Sequence, residues 1–71
     1  MNNEIEYVFE SEMRAYRFLN TVKHFDAHDL RVKFGRSDTH VYVSYRYVLG
    51  EFDNMLSKLD DLARELGGSE A

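Results

Sequence analysis

Two imidazoles and two carboxylates fall within six residues at His24-Phe25-Asp26-Ala27-His28-Asp29. On a continuous helix, His24 and His28 would share a face at the spacing that grips a divalent cation, with Asp26 and Asp29 available as further ligands. The helical pattern upstream stops near His24, however, and residue 25 is Phe where a helical metallopeptidase motif carries Glu. A solvated connector is the plainer account, with His24 placed where a helix C-terminus favours positive charge.

A second set comprises Arg31, Lys33, His40, Tyr42 and Arg46, with Arg36 between the two runs. Basic side chains around an exposed ring could hold a single-stranded nucleic acid, the ring stacking on a base and the cations meeting phosphates. Glu4 and Glu6 would lie on the same face if the first strand is a neighbour, and cross-strand ion pairs then account for the same residues. The outer side of the last helical segment, Asp53, Ser57, Asp60, Asp61 and Arg64, reads as a solvated acidic face. There is no Gly-rich phosphate loop, no Gly-x-Ser-x-Gly elbow and, with no Cys, no thiolate ligand or thiol nucleophile. The expectation is a chain without catalytic activity of its own, with no cofactor named by its residues.

The elements that would position these residues follow from periodicity. Residues 4–10 alternate, setting Ile5, Tyr7 and Phe9 on one face and Glu4, Glu6 and Glu10 on the other, which predicts a strand. Ser11 has the character of a helix N-cap, followed by Glu12 in the first turn. A helix over about 12–24 would bury Ala15, Phe18, Leu19, Val22 and Phe25, with Tyr16 at the stripe's edge. Residues 29–47 then read as a hairpin. Leu30, Val32 and Phe34 face inward from the first arm, and Val41, Val43, Tyr45 and Tyr47 from the second.

Inward positions are even-numbered in one arm and odd-numbered in the other, so paired residues must sum to an odd number. Val32 against Val41 and Leu30 against Val43 meet the condition. They place Arg31 opposite Tyr42, Lys33 opposite His40, and the turn at Gly35-Arg36-Ser37-Asp38. A last helix over about 51–66 buries Phe52, Met55, Leu59, Leu62 and Leu66, with Leu56 and Ala63 widening the stripe. Gly67-Gly68 stops it.

The resulting β-α-β-β-α order predicts an α+β domain with a three-stranded sheet of order 1-3-2 and two helices on one face. This order resembles a ferredoxin-like fold lacking its last strand, which implies that strand one is left as an open edge. The chain of 71 residues makes one domain, with an ordered core over about 4–67 and frayed segments at 1–3 and 68–71. A domain this small has a thin core, and self-association through strand-one edges or through the sheet face would relieve it. The net charge of −4 divides into acidic ends and a middle, residues 14–46, with seven bases against three acids. That balance disfavours broad nucleic-acid affinity and leaves a local basic face. No run suggests a signal peptide or a membrane span, so the expected location is cytoplasmic. The expected role is a protein-interaction or regulatory module, homodimeric, contacting partners through Arg31, Lys33, His40, Tyr42 and Arg46 on the sheet face and Glu4 and Glu6 along the edge. Single-stranded nucleic-acid binding by the same face is the alternative.

Overall fold

The computed structural model describes residues 2–47 and 54–71. Strand β1 (Asn2–Val8) is followed by helix α1 (Glu12–Val22), strands β2 (His28–Phe34) and β3 (His40–Arg46), helix α2 (Met55–Glu65) and a short strand β4 (Ser69–Glu70). The predicted helical residues Glu51, Phe52 and Asp53 lie outside the described residues. The strands form one antiparallel sheet of order β2-β3-β1-β4, so β1 and β2 run parallel with β3 between them.

Alternation in β1 and β3 has the expected effect. Ile5, Tyr7 and Phe9 join Val41, Val43 and Tyr45 in a single core with Ala15, Phe18 and Val22 of α1 and Met55, Leu59 and Ala63 of α2. Three aromatic rings knit the first strand to the first helix: Phe18 lies 5.1 Å from Tyr7 and 4.9 Å from Phe9 between ring centroids, both tilted. Ser11 caps α1 as its sequence suggests, its Oγ accepting from the Arg14 N–H at 3.2 Å. The helix ends at Val22 with Lys23 as C-cap, two residues short of the predicted end.

Two expectations about the sheet need correction. The strand count among the described residues is four, because the Gly67-Gly68 pair does more than stop α2. Gly67 takes a left-handed φ of 78° and its N–H donates to the Arg64 carbonyl, while the Gly68 N–H donates to the Ala63 carbonyl at 2.7 Å. These paired bonds close a Schellman motif that reverses the chain. A Cβ on Gly68 would sit 2.4 Å from the Phe9 ring, so only glycine lets the returning chain pass this close. Ser69 then pairs with Val8, Glu70 with Tyr7, and the Ala71 N–H donates to the Glu6 carbonyl at 2.8 Å. The segment expected to be frayed is a strand, and it takes part of the β1 edge that was expected to be open. Asn2 and Asn3, also expected to be frayed, lie in β1.

The hairpin register is the second correction. Val32 pairs with Val43, Phe34 with Val41, Lys33 with Tyr42 and Arg31 with Ser44, a slip of two residues from the predicted pairing. A slip of two preserves parity and keeps every side chain on its expected face. Its cause is in the turn: the Gly35 N–H donates to the His40 carbonyl at 2.8 Å, which moves the four-residue loop to Arg36–Thr39. Ser37 organises that loop, its Oγ lying 3.0 Å from Thr39 Oγ1 and 2.6 Å from His40 Nδ1. At the other end of β2 a bulge separates the His28–Arg46 pair from the Arg31–Ser44 pair, with Asp29 at a left-handed φ of 50°.

Candidate functional site

The outer sheet face carries the residues singled out for contact, and most of its charges are used within the chain. Tyr42 donates its hydroxyl to Glu4 Oε1 at 2.6 Å, a hydrogen bond that holds the phenol above its ordinary value. Lys33, not Arg31, stands over the Tyr42 ring, its Nζ 5.3 Å from the centroid, because the two-residue slip makes Lys33 the facing residue. Glu6 reaches past β3 to the hairpin loop, where Oε2 accepts from Arg36 Nε at 3.3 Å and lies 3.5 Å from the Arg36 backbone N. Gly35 leaves room for that carboxylate, which a Cβ there would meet at 2.6 Å. Arg46 pairs with Asp29 at 3.7 Å. His40 is held against Ser37 and Thr39. A nucleic-acid strand would therefore find the ring of Tyr42 covered by Lys33, its hydroxyl bound to Glu4, and two of the arginines already facing carboxylates.

His24, Asp26 and His28 are not on one helix face: α1 ends at Val22, His24 lies in the following turn and His28 opens β2. All three are exposed, and among the described residues no group of three or more His, Asp or Glu converges to hold a metal ion.

A second phenol held above its ordinary value is interior. Tyr7 is 1 % exposed and donates to Asp60 Oδ1 at 2.5 Å, joining β1 to α2. Burial, then the hydrogen bond to Asp60 and its negative charge, push the Tyr7 phenol far above its ordinary value. Such a group stays protonated and serves as a donor that fixes α2 on the sheet.

What the structure brings together, and the sequence did not mark, is a continuous surface along β2. This strand is the sheet's outer edge, and among the described residues nothing pairs with its far side. The Gly35 N–H points toward β3, so by strand alternation the main-chain groups of Leu30, Val32 and Phe34 point away from it. Their side chains form the inward row, yet Leu30 and Val32 are only partly buried and Phe34 is 40 % exposed. Beside Phe34 lie Met13, 74 % exposed, and Tyr16, 55 % exposed, in a shallow apolar depression of about 540 Å³ also bordered by Glu12 and Asp38. A separate open groove of about 900 Å³ is lined by Lys23 and by Leu30, Arg31, Val32 and Lys33 of β2, and spreads over the outer face of the sheet to Tyr42 and Glu4. The sequence signal was modest: Met13 and Tyr16, three apart, lie off the buried stripe of α1, and an exposed apolar pair on a helix marks a contact surface only when a neighbour extends it.

No protein-family model matches the chain, and neither the curated proteins nor the solved structures contain a match. No helix among the described residues is long and apolar enough to cross a membrane.

Proposed function

We propose that this chain is a protein-interaction module, without catalytic activity of its own, that engages its partner through the β2 edge and the apolar surface beside it. The observation that carries the reading is the outer side of β2, which has no strand beside it among the described residues: seven residues long, the strand presents there the main-chain donors and acceptors of Leu30, Val32 and Phe34 next to exposed Phe34, Met13 and Tyr16. An open strand edge is a template for another strand, and adjoining side-chain pockets give such pairing its selectivity. The opposite edge ends in a strand of two residues, too short to offer the same template. Self-association through β1 edges would meet Ser69, Glu70 and Ala71 already bonded along Glu6–Val8. The element order, with β4 beside β1, supports reading the sheet as a ferredoxin-like arrangement whose last strand is reduced to two residues.

The test is selection of extended peptides from a random library against the immobilised chain. The reading expects peptides that lose binding to Val32→Pro, which removes an edge-facing N–H and leaves the β3 ladder intact, while Tyr42→Ala retains it. Salt-sensitive binding of single-stranded oligonucleotides, weakened by Arg31→Ala and Tyr42→Ala, would replace this reading with the nucleic-acid one.

A further inference from the structure

Resting on that reading of the β2 edge, we propose that its partner is an extended segment of another protein in which acidic residues alternate with apolar ones, added as a fifth strand. Three cations flank the edge: Arg31 and Lys33 on the outer side and Lys23 at the end of α1, all lining one groove. Among the described residues neither Lys23 nor Arg31 has an ion pair, and Lys33 meets only the Tyr42 ring. Of the carboxylates that border the same groove, Asp29 is paired with Arg46, whereas Glu4 accepts only from the neutral Tyr42 hydroxyl and keeps its negative charge. The groove therefore carries net positive charge, three cations against the one carboxylate of Glu4, where the outward residues of an added strand would lie. The inward residues would pack over Leu30, Val32 and Phe34 and extend toward Met13 and Tyr16.

The same charges argue against a second copy as the occupant. A twofold pairing of β2 with itself must match outward positions with outward positions. Centred on Arg31 it sets Arg31 against Arg31, centred on Val32 it sets Arg31 against Lys33, and centred on Lys33 it sets Lys33 against Lys33. Like charges directly opposite are destabilising, whereas an acidic residue at each of these places is favourable. The bulge at Asp29, with its left-handed backbone, interrupts the ladder that a pairing shifted toward His28 would need.

Two labelled peptides of about ten residues, the length of a long strand, test the proposal by fluorescence anisotropy on the intact chain. One alternates Glu with Val and ends in Phe, and the other carries Lys in place of Glu. The acidic peptide is expected to bind at least about tenfold more tightly at low salt, to lose most of that advantage as salt screens the pairs, and to lose it in the double variant R31E/K33E, whose circular dichroism shows whether the fold is kept. Val32→Pro and Phe34→Ser, at the main-chain and apolar parts of the edge, are each expected to weaken both peptides. Equal binding of the two peptides, still sensitive to Val32→Pro, would overturn the acidic partner and leave edge docking standing. Binding of neither peptide would overturn both, leaving Arg31 and Lys33 as guards of a closed edge. A concentration-dependent dimer that Val32→Pro abolishes would show that a second copy occupies the strand, and would overturn the proposal.

Discussion

Removing the Tyr7 hydroxyl should cost stability at neutral pH and nothing in strong alkali. Tyr7→Phe keeps the ring that packs 5.1 Å from Phe18 and deletes only the bond to Asp60. A hydrogen bond to a charged group contributes roughly 1.5–3 kcal/mol, and the lower end applies because Asp60 is only half-buried and water can replace the lost donor. For a domain of this size, about 1.5 kcal/mol corresponds to a fall in Tm of roughly 6–12 °C. The pH dependence follows from the raised phenol. Folding favours the protonated form, so its contribution is complete below the unfolded value of about 10 and drains away as pH rises and the unfolded chain releases a proton that Tyr7 retains. That loss is about 1.4 kcal/mol for each pH unit above 10, and the wild-type advantage should vanish near pH 11. Urea denaturation of both proteins between pH 7 and 11 measures the difference, in which the contributions of the other tyrosines cancel. Equal stability at pH 8, or parallel curves up to pH 11, would show that the Tyr7–Asp60 bond does not hold α2 on the sheet.

Gly68→Ala should destabilise by about 1–3 kcal/mol, the cost of forcing a packed contact, because its methyl would strike the Phe9 ring; amide exchange should show the β4 bonds opening first. Asp29→Val should cost roughly 1–2 kcal/mol, since a β-branched residue resists the left-handed backbone of the bulge, while Asp29→Gly should fold with near wild-type stability in thermal denaturation. Ser11→Ala should lower stability by about 1 kcal/mol through loss of the α1 cap, measurable as a shift of the urea midpoint at unchanged slope.

The legible part of the fold was whatever period and parity determine. Alternation placed Ile5, Tyr7 and Phe9 inside, helical spacing placed Phe18, Val22, Leu59 and Ala63 inside, and the odd-sum rule put each hairpin side chain on its proper face. Register escaped because parity is blind to a shift of two: hydrogen bonding at Gly35, Ser37 and His40 decided between turns of equal length. The fourth strand escaped because Gly67-Gly68 carries the same local signal whether the chain leaves the domain or turns back onto it. Only the proximity of Phe9 distinguishes the two. At the candidate site, the sequence brought out the cations of the outer face, and the acidic neighbours that would engage them were also in view. Glu6 with Arg36 and Glu4 with Tyr42 are of that kind. The predicted order 1-3-2 already left β2 outermost, and the β4 pairing alters only the opposite edge; what was not legible is the apolar surface beside it, because the exposure of Met13 next to Phe34 depends on how α1 lies across the sheet.

Amide hydrogen exchange along β2, with and without the acidic–apolar peptide, reads the open edge itself. In the free chain, the amides of Leu30, Val32 and Phe34 should exchange much faster than those of Arg31, Lys33 and Gly35, because the former face the open edge and the latter face β3. Adding the peptide should protect Leu30, Val32 and Phe34 selectively. Uniformly slow exchange along β2 in the free chain, or protection that leaves these three amides unchanged when the peptide is bound, would contradict the account.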